Sequence, residues 1–213
     1  MKLNKVLALA LSGVMAVSML AGCSNNSGNG GQNGEEQVPA TGIVAAVNNG
    51  QDADNKVKVN FTADPTLDTQ LNKAVNACAE KASEEKVQAK LEEIIGGDTV
   101  YLDGALKKGG AFMPYSKSVD EDGEEIVGVR VIKVTSNYNE NAALNFVSDK
   151  VNRITKNLLE NSLSDSNKIN DKYVAYDYAG TVSMIETTAL DGTTNYYAAI
   201  VITNTCTVET VTV

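Results

Sequence analysis

The covalent, metal or proton-transfer chemistry open to this chain must be sought in three cysteines, Cys23, Cys78 and Cys206, in 27 acidic side chains and in its lysines, because histidine is absent. Histidine is the usual general base near neutral pH and the commonest metal ligand. Without it a Ser–His–Asp or Cys–His site is excluded, and so is an imidazole-bound zinc or iron centre. A glycosidase-type pair needs two carboxyl groups roughly 5–9 Å apart, and nothing in the spacing of the acidic residues singles out two of them. Trp, the best sugar-stacking side chain, is missing as well. Cys78 falls on the apolar side of a helical pattern with no imidazole to activate it, which suits burial or pairing better than nucleophilic attack. Cys78 and Cys206 are an even pair and candidates for a disulfide; the competing reading is two separately buried thiols. Ser118-Val119-Asp120-Glu121-Asp122-Gly123-Glu124 imitates the start of an EF-hand loop, but Val129 stands at the twelfth position, where a bidentate glutamate belongs. Asp52 and Asp54 are followed at the next alternate position by Lys56, so a charged loop is the better reading there. No catalytic residue, metal ligand or cofactor-binding residue is assigned, and no cofactor is expected.

The N-terminus is more specific. Lys2 and Lys5 give it a basic start, and Val6 to Leu20 form an apolar stretch interrupted by Ser12, Gly13 and Ser18. That stretch is shorter than the roughly 20 apolar residues of a spanning helix. A basic start, a short apolar core and small residues before Cys23 fit an export signal. Leu20-Ala21-Gly22-Cys23 resembles the lipobox of bacterial lipoproteins, the competing reading being a plain secretory signal with a chance cysteine. The resemblance implies that the Cys23 thiol takes a diacylglyceryl group, that cleavage falls before Cys23, and that the mature chain is tethered to a membrane. Two acyl chains anchor stably where one holds only reversibly, each buried methylene contributing about 0.8 kcal/mol.

The expected organisation is a lipoprotein signal peptide over 1–22, a lipidated Cys23 with a flexible Ser/Asn/Gly-rich tether over 23–40, and one α+β domain over 41–213. Ser24 to Gly34 cannot bury enough apolar surface to offset its ordering entropy, and chain statistics give some dozen such residues an r.m.s. reach of roughly 20 Å. The formal charge is −9, from 18 basic and 27 acidic residues, and loss of Lys2 and Lys5 with the leader takes it to −11. Such a balance disfavours nucleic acid, whose binding comes mainly from Lys and Arg on phosphates. It leaves attachment to anionic lipid to the acyl anchor. With three Phe and no Trp, the core must be aliphatic with some Tyr.

Periodicity places the elements. Thr41–Val47 and Lys56–Phe61 read as strands, the second with Val57, Val59 and Phe61 on one side. Asp64-Pro65 opens a helix carrying Leu67, Leu71, Val75, Cys78 and Ala82, continued by Val87, Leu91 and Ile94 or Ile95 either as one bent helix or as two. Gly96-Gly97 ends it. Short strands are expected at Thr99–Leu102 and Ala111–Tyr115, a turn at Asp122-Gly123 and a strand over Glu125–Thr135. Asn141 to Leu163 reads as a helix with Leu144, Val147, Val151, Ile154 and Leu158 along one face. Tyr173–Tyr178, Thr181–Ala189, Thr193–Thr203 and Cys206 to Val213 read as strands, with Asp191-Gly192 as a two-residue hairpin turn and the last strand at a sheet edge. The fold expected is a mostly antiparallel sheet with two main helices packed on one face.

Five of eight tyrosines (Tyr173, Tyr176, Tyr178, Tyr196, Tyr197) fall in the C-terminal hairpin region. Tyrosine is favoured at binding surfaces and is also an ordinary strand residue. Tyr176, Tyr178 and Tyr197 are the candidate binding surface. The function expected is that of a lipid-anchored, extracytoplasmic binding or assembly module of the cell envelope, its partners being the membrane through the Cys23 lipid and an envelope protein or small ligand. The alternative is an envelope hydrolase or transglycosylase using a carboxylate pair.

Overall fold

Six consecutive residues of one strand, Asn195 to Ile200, are buried, and this decides the architecture. Successive side chains of a strand point to opposite faces, so a strand buried without alternation must be covered on both. The computed structural model describes residues 42–79, 81–102, 123, 125–135, 138–161 and 172–210. In chain order these form α1 (Ile43–Asn49), β1 (Asn60–Thr62), α2 (Pro65–Asn76), α3 (Glu84–Ile95), β2 (Thr99–Tyr101), β3 (Glu125–Val134), α4 (Glu140–Thr155), β4 (Lys172–Thr188) and β5 (Thr194–Thr210).

The sheet order is β1-β4-β5-β3-β2. β5 is central and antiparallel to both β4 and β3, while the short outer strands β1 and β2 run parallel to β4 and β3. The sheet is therefore mixed and the class is α+β. Ala198, Ile200 and Ile202 share one core with Ile132 and Val134, with Val47 of α1 and with Val147, Val151 and Ile154 of α4. Tyr197 and Ala199 share the other with Val129 and Val131, with Leu67 and Leu71 of α2 and with Val87 and Leu91 of α3. Four helices are thus divided between two faces, in place of two helices on one face, because β3 and β5 are apolar on both sides.

Several local expectations change for tertiary reasons. Thr41–Val47 reads as a strand, yet Ile43–Asn49 is α1. It buries Val47, and the Ser148 hydroxyl of α4 donates to the Ala46 carbonyl at 2.7 Å. Tyr173–Tyr178 and Thr181–Ala189 are one strand, β4, running through Gly180. That glycine is no break: a Cβ there would meet the Phe61 ring at 2.6 Å, so it is the seat on which β1 packs. Likewise the two segments ending the chain are one strand, β5, at the centre of the sheet and not at its edge. The hairpin loop spans the five residues from Ala189 to Thr193, closed by Ala189 N–H donating to the Thr193 carbonyl at 2.9 Å, and is not a two-residue turn. The helical stretch after Asp64 is two helices, and Asp64 caps the first by accepting from Thr66 N–H at 2.8 Å. α4 stops at Thr155, and Leu158 stays buried beyond it. Residues 1–41, Ala111–Tyr115 and the EF-hand-like residues 118–122 lie outside the described residues.

Candidate functional site

The strongest constellation lies where the α2–α3 connection meets the base of the β4–β5 hairpin, on the face covered by α2 and α3. A cleft of about 240 Å³ opens there. Val75, Asn76, Cys78 and Lys81 line it from the helix side, and Thr187 and Asn195 from the strands. Tyr197 also borders it, 1% exposed. The Tyr197 hydroxyl donates to the Ala82 carbonyl at 2.9 Å, and burial pushes its ionisation above the ordinary phenol value.

Two lysines meet at this turn. Lys81 has φ 58°, the left-handed region that L side chains rarely adopt, at a cost of about 1–3 kcal/mol. Its ammonium pairs with the Asp191 carboxylate in the hairpin loop. Hydrogen bonds from Lys81 and Thr193 hold that carboxyl well below the usual range. Lys133, on β3, donates to the carbonyls of Lys81 and Ala82 at 2.9 and 2.8 Å, and its ammonium stands 5.5 Å from the centre of the Tyr197 ring. Desolvation, and then the charge of Lys81, lower the Lys133 titration. The unusual backbone of Lys81 is therefore fixed from two sides, by Lys133 on its carbonyl and by Asp191 on its ammonium.

Asn195 brings a polar side chain to the wall of this cleft. It is 4% exposed and lines the cleft. It shares a strand face with Tyr197, two residues on. Its carbonyl accepts from the Thr187 hydroxyl, while its side-chain amide makes no hydrogen bond among the described residues. In the hairpin loop, next in the chain to cleft-lining Ala189, Leu190 is 95% exposed.

The residues singled out by composition are placed differently. Tyr197 is core and cannot be a surface residue. Tyr178 donates to the Leu159 carbonyl at 2.9 Å, and its hydroxyl is raised strongly by burial. Tyr176 is half-buried beside it, ring centres 6.5 Å apart. These two lie on the α1–α4 face, away from Tyr197, so the three do not form one surface. The reason is strand parity: 176 and 178 share a face of β4, while 197 looks to the opposite side of β5. Parity also separates the thiols. Cys206 has the parity of Ile200 and Ile202, while Cys78 packs against the cluster containing Tyr197. With the sheet between them, no disulfide joins Cys78 to Cys206. Cys23 lies outside the described residues. Lys81 and Asn195 escape sequence reasoning, since neither residue type announces its backbone angle or its burial. The available signal was Asp191-Gly192, which marks a loop able to reach another element.

No helix among the described residues is long and apolar enough to cross a membrane, and no cluster of three or more Cys, Asp or Glu that could hold a metal occurs among them. Comparison of the chain with protein-family models, curated proteins and solved structures finds no match.

Proposed function

We propose that this chain is a lipid-anchored, extracytoplasmic module of the cell envelope that works by binding, with the hairpin-end cleft as its contact site. The observation that carries the binding reading is the cleft together with the hairpin loop beside it, in which Leu190, next in the chain to cleft-lining Ala189, is left 95% exposed. A partner that covers an exposed leucine next to a concave surface removes apolar area from water. The place of action rests on Leu20-Ala21-Gly22-Cys23 and its resemblance to a lipobox. The alternative, a hydrolase or transglycosylase with a carboxylate pair, needs a carboxyl group held upward as a general acid. Among the described residues, the carboxyl groups whose titration is displaced are Asp52, Glu85 and Asp191, and hydrogen bonds displace all three downward.

Fractionation tests the anchor. The wild-type chain is expected in the membrane pellet with an N-terminal peptide carrying diacylglyceryl on Cys23, and Cys23→Ser is expected to lose the modification, because a hydroxyl cannot form the thioether. An unmodified wild-type peptide in the pellet overturns the lipid reading. A photo-crosslinking side chain at Leu190 tests the contact in intact cells, with the same side chain at exposed Asp54 as control. Equal labelling at both positions, or none at either, overturns the assignment of the cleft.

A further inference from the structure

We infer that the cleft beside Lys81 binds the free C-terminal end of a short peptide, with the terminal carboxylate on the Lys81 ammonium and the last peptide group on the Asn195 amide. This rests on the binding reading above and adds its ligand class.

Asn195 sets the first requirement. A carboxamide offers two N–H donors and a carbonyl acceptor. The Asn195 residue is 4% exposed, its side chain lines the cleft, and its amide makes no hydrogen bond among the described residues, so it is open to a ligand that presents both a donor and an acceptor. A peptide group does so.

Charge sets the second. Lys81 and Lys133 bring two ammonium groups to this turn; the Asp191 carboxylate pairs with Lys81, while the nearby Glu84 carboxylate, which accepts from Lys133 N–H, is already paired with Arg130. The half-charges of the helix ends do not reverse this, since the C-terminus of α2 and the N-terminus of α3 both border the connection and oppose each other. An ammonium has three donors. Lys81 has donors left after pairing with Asp191, so a carboxylate can join without displacing the hairpin loop. Lys133, by contrast, spends two donors on carbonyls and contributes mainly its field. Capture of a C-terminal carboxylate is an established mode of peptide recognition.

Size sets the third. The cleft, about 240 Å³, lies below the 300–1,000 Å³ typical of sites for drug-sized ligands, so it takes a terminal residue and not an extended chain. Val75, Ala79 and the Tyr197 ring give it apolar walls suited to a small side chain. A free amino acid fits less well than an acylated one, because its own ammonium would face the two lysines.

The test uses the full chain purified in detergent, titrated with N-acetyl-Ala-Ala and with the same dipeptide as its C-terminal amide. The free acid is expected to bind at least tenfold more tightly than the amide. Lys81→Gln is expected to abolish that preference, and Asn195→Ala to weaken binding of the acid by tenfold or more. Lys81 is exposed at the turn, so its variant keeps the test decisive even if Asn195→Ala lowers the melting temperature. Equal affinity for acid and amide, no binding of either at millimolar concentration, or a preference retained in Lys81→Gln overturns the inference. Failure of the peptides with specific crosslinking retained at Leu190 removes only the ligand class; failure of both removes the binding reading with it.

Discussion

Lys81 holds the one positive φ of a non-glycine residue among those described, and its neighbours show what maintains it. The Lys133 ammonium donates to the successive carbonyls of Lys81 and Ala82, and the hairpin loop reaches back through Asp191. A left-handed residue other than glycine costs about 1–2 kcal/mol, from which the larger unfolded-state entropy of glycine takes back about 0.5 kcal/mol. Lys81→Ala keeps the strain and loses the ion pair, whereas Lys81→Gly loses both. The glycine variant is therefore expected to be more stable than the alanine variant by about 1 kcal/mol in urea unfolding. Equal midpoints would show that the turn relaxes and stores no strain. A chain selected for stability alone would carry glycine at this turn, so a lysine there accords with a role for its ammonium. Nothing in Lys81-Ala82-Ser83 signals such a backbone, which is why the cleft is not legible from residue types.

The helices of this fold also serve as edges for its sheet. β1 is short and outermost, and its outward backbone groups are met by side-chain amides: Asn48 exchanges hydrogen bonds with Phe61 N–H and its carbonyl, both at 2.9 Å, and Gln51 does the same for Val59. At the other margin β2 pairs with β3 only as far as Val129. Beyond it, Gln88 of α3 accepts from Val131 N–H and donates to the Val129 carbonyl, while Glu84 accepts from Lys133 N–H and pairs with Arg130. Exposed strand edges invite pairing with other chains, and both margins are covered here by side chains. Gln88→Leu keeps the bulk and leaves Val131 N–H buried without a partner, so it is expected to cost about 1–3 kcal/mol. A shift in the urea midpoint with unchanged slope is the measurement, and a loss under about 0.5 kcal/mol would mean that water replaces the amide. The elements themselves were legible where a local cause fixed them: Asp64-Pro65 caps α2, Val127, Val129 and Val131 share a face, and Val147, Val151 and Ile154 of α4 lie inward, though Ala143 and not Leu144 is the residue buried in its first turns. Thr41–Val47 was not. Its β-branched residues read as a strand, while its helix is selected by packing on Ser148 and by the need to bring Asn48 and Gln51 onto β1, a contact across sequence that periodicity does not carry.

For the whole molecule, the absence of Trp and the scarcity of Phe place much of the aromatic burden of the core on tyrosine, and this couples folding to alkaline pH. Tyr178, Tyr196 and Tyr197 are all raised from the phenol value of 10.0, chiefly by burial. Above pH 10 the unfolded chain releases these protons while the folded one keeps them. The folded state then binds more protons, and stability falls as pH rises. Tyr178, the most strongly raised of the three, contributes most to that fall. Lys133 acts in the opposite sense. Its titration is lowered by desolvation from 10.5, so deprotonation favours the fold as pH approaches that value, but it is one group against three and its effect ends near its unfolded value. Ionisation would also add negative charge to a chain already at −9, which increases self-repulsion. The expected result is a urea midpoint nearly level up to about pH 9.5 and falling steeply beyond 10, with phenolate absorbance at 295 nm rising together with unfolding. Tyr178→Phe and Tyr197→Phe should each make the fall shallower. A midpoint that stays level from pH 9 to 11 would mean that these hydroxyls ionise within the folded protein, and the tyrosines would then be accessible to solvent instead of core.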